Sequence, residues 1–475
     1  MIYTDYLHKV FTMLRSKLSL IIEQLSNKEF EIIKDSLLCP LLDGKKHHLL
    51  LFEAYAKNGT KKEDPSRDKL RADLFKNKIS DAQIRLYMSE LYKIISNCLV
   101  MMHSKNDIYY QDQVLISRFM HNEEHKLFDS QFAGAFKRSE NHPFRNTEYH
   151  EHIYDLGLLE YTHISSSKRT RDLKIQELLD SVDLIFFSKK LKQACFAVAH
   201  QSVYGQQYDY GLLNEVLKYV EDKNLLKHAS VRLYYSAYKM LCSPKEATFF
   251  NQFKSDIDEL KGYFPDTELQ GVYRFAINQC IRLINRGQIE YGTIALDLYE
   301  EALNHKYLLV DGYLSRFTFK NIAAIAVKIG EYDRAEKFSN EYYLALRKEE
   351  RNSALNFNQA LIGYHKKDFD TALRSLQEVD FKDHLFNLAA KVIQMKVYFE
   401  SDEFDLLDSH LDAMQMYILR KKVIGYHKTN YKNIIKMTRK LLKIKPGDTS
   451  AVDNLISEIN NAEVLTEKKW LLSQF

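Results

Sequence analysis

The chain has 475 residues, with 68 basic and 64 acidic side chains, so its formal net charge is only +4. This even balance excludes a molecule that binds nucleic acid over its whole surface, and any electrostatic function must come from a local patch. A hydrophobic fraction of 45% excludes wholesale disorder. The length exceeds what one hydrophobic core usually organises, so we expect several domains or one elongated stack of repeats.

Glycine and proline are scarce, at 15 and 6 residues, whereas average usage is about 7% and 5%. Turns depend on these two residues, and helix interiors exclude them. The composition therefore predicts an all-α fold, with helix over about three quarters of the chain. The five cysteines lack metal-finger or redox spacing, which predicts free thiols in a reducing compartment.

The sequence has no run approaching the roughly 18 apolar residues that a membrane-spanning helix needs. Its first residues mix charges among apolar side chains and lack a small-residue cleavage site, so they do not predict a signal peptide. These features predict a cytoplasmic protein without membrane insertion.

Residues 1–105 are predicted to form a separate helical module. Ser26 with Glu29, and Ser80 with Gln83, have the spacing of capping boxes, which mark two helix starts. The helix that follows Ser80 repeats apolar residues at helical spacing, which predicts a buried face. Residues 106–179 are predicted to form a helical connector.

From 180 to 445 the sequence predicts an α-solenoid of antiparallel helix pairs similar to tetratricopeptide repeats (TPR-like). An aromatic residue follows a polar turn three times, and a small or apolar residue comes three positions later: Tyr332 and Ala335, Phe369 and Ala372, Phe404 and Leu407. The last two units are about 35 residues apart, close to the tetratricopeptide period. Turns are expected near 287–289, 330–331, 367–368 and 401–402. Helix pairs with a weaker repeat pattern are expected at 180–222, 229–262 and 267–305. An ordinary helical bundle is the alternative.

Two surfaces of this stack are candidates for binding a partner. In tetratricopeptide stacks the first helix of each pair lines a concave groove, and by that resemblance it would contain Lys320, Phe357, Tyr364, Lys396 and Phe399. Exposed aromatic residues among lysines suit an acidic peptide with apolar anchors. Packing in the core is the alternative for half of these residues.

The second surface is a basic stripe in the last helices of the solenoid. From Ala413 to Gly447 there are ten lysines and arginines and no acidic residue. On a helix predicted from about His427, six of the cations share one face: Lys428, Lys432, Lys436, Arg439, Lys440 and Lys443. Such a stripe can bind an acidic peptide or a phosphate backbone. The alternative is a solvated face whose cations complement the helix dipole.

Residues 446–475 are predicted to be capping helices, in which the single tryptophan, Trp470, covers the last apolar face of the stack.

Two segments resemble a bacterial family of uncharacterised tetratricopeptide-like proteins. KLRADLFKNKISDAQIRLYMSELYKIISNCL (69–99) is similar to the amino-terminal signature of the family, whose helix pattern Arg85, Ser89, Leu91 and Lys93 match. LTEKKWLLSQF (465–475) resembles the family's ending. The resemblance implies a helical repeat architecture and a cytoplasmic bacterial setting, and it brings no catalytic residues.

The sequence contains no P-loop, GxGxxG, GxSxG or HExxH motif. His150 and His152 point about 200° apart on a helix, so they are not expected to share an ion. The adjacent pair His47 and His48 is expected to diverge as well. We therefore expect no enzymatic activity, no cofactor and no metal site.

The sequence favours a non-catalytic scaffold or adaptor that binds another protein or peptide through the groove and the basic stripe. The charge of the stripe favours an acidic partner. The alternative is a nucleic-acid-linked regulator, in which residues 66–104 form a helix-turn-helix-like reader and the solenoid senses a partner. Asp81 and Glu90 argue against this alternative, because they place acidic groups on the polar face of the reader helix. The identity of the partner and the oligomeric state stay open.

Overall fold

The computed structural model describes residues 15–39, 42–58, 64–120, 125–167, 172–204, 206–379, 383–420, 425–445 and 447–475. About 79% of the structure is helical, which confirms the predicted all-α fold. Sheet within the described residues is limited to two antiparallel strands, β1 (Leu309–Val310) and β2 (Tyr313–Leu314). Asp311 and Gly312 join them with positive φ angles of 52° and 79°, as a two-residue hairpin turn requires.

The chain divides into two compact units. The first comprises Met1–His142 and Glu151–Ser181, and the second comprises Pro143–His150 and Val182–Phe475. Two of the three boundaries fall within long helices, α8 (Thr147–Ser167) and α9 (Ile175–Tyr204), and the third, between His142 and Pro143, precedes α8.

The first unit begins with the predicted helical module. Its helices are α1 (Lys17–Glu23), α2 (Asn27–Ser36), α3 (Lys46–Asn58), α4 (Arg67–Phe75) and α5 (Asp81–Asn106). Both predicted capping boxes are present, at the starts of α2 and α5. Helix α5 buries Ile84, Leu91 and Ile95 against α1, α3 and α4, so one long helix organises this core.

The rest of the first unit contains α6 (Ile108–Met120) and α7 (His125–Glu140), which pack together. Ile116, Phe128, Ala135 and Leu156 form a small separate core. Asp112 is buried beside it and pairs with Arg138. A buried carboxylate needs such a partner to stay ionised.

The second unit contains the helices of the remaining chain. Its helices after α9 are α10 (Leu213–Asp222), α11 (Ala229–Cys242), α12 (Ala247–Leu260), α13 (Asp266–Asn285), α14 (Tyr291–Asn304), α15 (Arg316–Lys328), α16 (Tyr332–Tyr342), α17 (Arg351–His365), α18 (Phe369–Gln377), α19 (His384–Glu400), α20 (Phe404–Arg420), α21 (Gly425–Leu442), α22 (Thr449–Asn461) and α23 (Lys468–Leu472). Consecutive helices from α11 to α22 pack on each other. In addition, α11 packs on α13, α15 on α17, and α17 on α19.

All four predicted turns of the repeat region are present, and they share one geometry. In each turn the chain takes a positive φ angle, at Gly287, Gly330, Lys367 and Asp402. The next N–H then donates to a carbonyl five residues earlier, as from Gln288 to Leu283 and from Glu403 to Tyr398. This is the hydrogen bond of a Schellman motif, which stops a helix while satisfying its last carbonyl groups.

Two hydrophobic cores hold the second unit together. The larger extends from Phe187 to Val397, and the smaller gathers residues from Leu388 to Leu471, including Trp470. Ala335 and Ala372 are fully buried, as their predicted role at helix crossings requires. Among the described residues, no helix is both long enough and apolar enough to cross a bilayer.

Candidate functional site

The basic stripe lies where the sequence predicts it, mostly on α21. Ile434, Ile435 and Met437 on the opposite side of this helix are buried in the smaller core, which leaves the lysine-bearing face outward. Lys443 follows the last residue of the helix. Lys421 and Lys422 belong to the basic region but lie outside the described residues.

Three cations of the stripe are paired, although the segment from Ala413 to Gly447 itself contains no acidic residue. Lys436 Nζ lies 2.8 Å from Glu458 Oε1, and Lys440 contacts the other oxygen of the same carboxylate. Arg439 pairs with Asp412. These acids are on α22 and α20, which flank α21, so a count of charges along α21 alone misses them.

The two lysines change the pKa of the carboxylate that they share. Hydrogen bonds from Lys436 and Lys440 lower the pKa of Glu458 below its ordinary value. Because the lysines are 55% and 46% exposed and the Glu458 side chain is 32% exposed, solvent weakens these pairs, which fix the positions of side chains more than they stabilise the fold.

Three other members of the stripe keep their charge available. Lys428, Lys432 and Lys443 have no acidic partner within 4.0 Å among the residues that the structure describes. Lys432 and Lys443 are exposed, and Lys428 is half-buried. A depression of about 450 Å³ runs along the stripe and includes five of its six cations: Lys432, Lys436, Arg439, Lys440 and Lys443.

An apolar groove adjoins the stripe. It has a volume of about 840 Å³, and its apolar lining consists of Phe399, Phe404, Leu441, Leu442 and Ile444. Two acids, Asp408 and Asp412, and two cations, Arg439 and Lys443, complete the lining. Phe404 is 46% exposed. Arg439 and Lys443 line both the groove and the basic depression.

The proposed concave-groove residues are largely inside the protein. Phe357, Tyr364 and Lys396 are only 2%, 5% and 8% exposed. The expectation that they are exposed to a partner is therefore wrong, and core packing is the alternative that applies to them. Lys320 is half-buried, with its ammonium 5.2 Å from the Phe357 ring centroid and 5.0 Å from that of Phe386. Its neighbours are thus aromatic faces that suit a cation.

The carboxyl-terminal segment covers these residues. Lys396 Nζ lies 3.0 Å from Glu467 Oε2, and its ammonium sits over the Tyr364 ring. Trp470 is 8% exposed, contacts Phe399 edge-to-face, and donates from Nε1 to Glu400 Oε1 at 2.8 Å. The prediction that Trp470 docks on the preceding helices is confirmed.

The two histidine pairs differ in whether their rings lie close to each other. His150 and His152 lie against separate rings, those of His228 and Tyr109, as their spacing predicts. The prediction that His47 and His48 diverge is wrong, because their Nε2 atoms are 3.1 Å apart. Both residues are in the first turn of α3, and rotation about their side-chain bonds brings the rings together over α5.

No protein-family model matches the chain, and neither a curated protein nor a solved structure matches it. The fold and the surface therefore define the class by themselves. It is an all-helical protein whose second unit presents basic and apolar surfaces side by side.

Proposed function

We propose that the chain is a non-catalytic interaction scaffold, built as a solenoid of tetratricopeptide-like helix pairs, that binds an acidic segment of another protein. The observation that carries this proposal is the adjacency of the apolar groove and the basic stripe, which share Arg439 and Lys443. Apolar side chains of the bound segment enter the groove while its carboxylates face the cations. The role requires neither a reaction nor a cofactor.

Packing within the second unit supports the solenoid. Most helices contact the next helix, and several also contact the next but one, so each buries its apolar face against sequence neighbours as in repeat proteins. The shared geometry of the four turns is a second support. The bacterial and cytoplasmic setting rests on the sequence resemblance alone.

The nucleic-acid-linked regulator has less support. Asp81 on α5 pairs with Arg85 of the same helix at 2.7 Å and with Arg67 of α4 at 3.2 Å, so an acidic group lies among the cations that a reader helix would present to nucleic acid. The basic stripe likewise has three of its cations paired. A polyanion of uniform charge also gains nothing from the apolar groove.

The test is the affinity of the full-length protein for a labelled synthetic helix with glutamates on one face and leucines on the other. We expect the wild type to bind it, with affinity falling as salt is added. Lys432→Glu with Lys443→Glu should weaken binding roughly tenfold, since each reversal replaces an attraction by a repulsion. Fluorescence anisotropy at two salt concentrations measures both effects.

The matched control reverses two exposed lysines of the same unit that lie away from the stripe, Lys218→Glu with Lys245→Glu. The net charge changes equally in both double variants, so only a local effect separates them. Equal binding by the two variants would overturn the proposal, as would a wild type that binds duplex DNA more tightly than the acidic helix.

A further inference from the structure

His47, His48 and Glu90 bring three basic atoms together in the first unit. The two histidines are on α3, and Glu90 is on α5, which packs against it. His48 Nε2 lies 3.1 Å from His47 Nε2 and 3.0 Å from Glu90 Oε2, and the third side of the triangle is 3.9 Å. All three side chains therefore converge on one point.

The separations are close to those between ligands of one metal ion. Metal bonds of about 2.0–2.1 Å in a tetrahedral arrangement place neighbouring ligand atoms roughly 3.3 Å apart. Two of the observed distances, 3.1 and 3.0 Å, are slightly shorter than this value, and the third, from His47 Nε2 to Glu90 Oε2, is longer at 3.9 Å. The point equidistant from the three atoms is about 2.0 Å from each of them. An ion there would be within bonding distance of all three atoms, and tetrahedral ligation would need His47 and Glu90 to move closer together.

Neighbouring groups hold the triangle in place. His48 is 1% exposed, and the His47 ring stacks on Tyr87 with 3.8 Å between centroids. Tyr87 precedes Glu90 by one turn of α5, so the same helix supplies a ligand and supports another ligand. His47 and Glu90 are partly open to solvent, which gives an ion a path of entry and leaves room for a water ligand.

Hydrogen bonding orients His48 within the cluster. The Lys45 N–H donates to His48 Nδ1 at 3.2 Å, and His48 Nε2 is the ring nitrogen that faces both Glu90 and His47. A cation bound at this point would accept the lone pairs of all three ligand atoms.

We propose that His47, His48 and Glu90 bind a divalent transition-metal ion, for which Zn²⁺ is the best match. Two imidazoles and one carboxylate suit Zn²⁺, whereas Ca²⁺ and Mg²⁺ prefer oxygen ligands alone. Binding through Nε2 leaves the proton of neutral His48 on Nδ1, so the hydrogen bond from the Lys45 N–H is given up. The ion ties the start of α3 to α5. This site is independent of the proposed partner surface.

The test titrates metal-free, full-length protein with Zn²⁺ by calorimetry and with Co²⁺ by visible absorption. We expect one Zn²⁺ per chain at this site and Co²⁺ bands typical of low-coordinate nitrogen and oxygen ligation. His47→Ala and Glu90→Gln should each weaken binding by about tenfold or more, because loss of an outer-shell partner alone costs roughly 10–100-fold. His103→Ala is the control, since His103 is an exposed histidine on α5 and should leave binding unchanged.

A second measurement uses the wild type alone, so it does not depend on the folding of any variant. Zn²⁺ should protect His47 from acylation by diethyl pyrocarbonate, read by mass spectrometry, while His103 stays reactive. The proposal is overturned if the wild type binds no Zn²⁺, if His47 and His103 react equally in its presence, or if both ligand variants bind as the wild type does.

Discussion

At the scale of single residues, Glu400 organises the carboxyl-terminal segment. It accepts hydrogen bonds from Trp470 Nε1, Tyr364 Oη and Lys367 Nζ. Burial disfavours its charged form, but the three donors outweigh burial and lower the pKa of the Glu400 carboxyl. One carboxylate therefore links α17, α19 and α23, and the paired Lys396 and Glu467 lie beside it.

Replacing Trp470 tests this arrangement. Trp470→Ala should lower the free energy of unfolding by roughly 3–5 kcal/mol, because it removes a large buried side chain. Trp470→Phe keeps a ring against Phe399 but loses the indole donor and part of the buried ring, so it should cost less, about 1–2 kcal/mol. Urea denaturation monitored by circular dichroism measures both. Equal losses in the two variants would show that ring packing contributes little.

At the scale of elements, α17 and α18 approach each other closely. A Cβ added at Gly363 would lie 3.1 Å from the backbone nitrogen of Ala372, and Ala372 itself is fully buried. Small residues on both helices let their backbones approach. The sequence motif of a polar turn, an aromatic residue and a small residue therefore marks a position where two helices contact each other.

Enlarging the small residue should disturb that contact. Ala372→Leu should cost about 1–3 kcal/mol, since overpacking forces side chains or backbone to shift. Gln377→Leu places the same side chain at an exposed position of α18 and should change stability by no more than about 0.5 kcal/mol. Thermal melts compare the two. A neutral Ala372→Leu variant would count against the crossing.

Much of the secondary structure follows from local sequence, and this explains which predictions are confirmed. The turns at Gly330 and Asp402, and the capping boxes at Ser26 and Ser80, depend on residues a few positions apart. The partners of Arg439 and Lys440 are about 20–30 residues away on other helices. Convergence of His47 and His48 depends on side-chain rotation and on α5. Neither kind of contact is encoded in a local pattern.

At the scale of the whole molecule, buried histidines make stability depend on pH. Burial lowers the pKa of several of them below the ordinary 6.5: His150, to about 4, and His152, His228 and His410. Below pH 6.5 the unfolded chain binds protons at these histidines that the folded chain accepts only at lower pH, which for His150 is about 4. Stability therefore falls as the pH is lowered through this range.

The melting temperature should accordingly be lower at pH 5 than at pH 7.5. His150→Gln removes one of the contributing groups, so its melting temperature should fall less over the same interval. Circular dichroism at both pH values provides the measurement. A melting temperature that is constant or rises on acidification would contradict the expectation.

Because Trp470 is buried, the intrinsic fluorescence of the protein can report on the position of the carboxyl-terminal segment. The chain has one tryptophan among 31 tyrosines, so excitation at the red edge of absorption selects a single indole in α23. Its emission wavelength reports whether the carboxyl-terminal segment is seated on α19, without any label. Because Phe399 contacts Trp470 and also lines the apolar groove, a ligand that enters the groove should alter this emission.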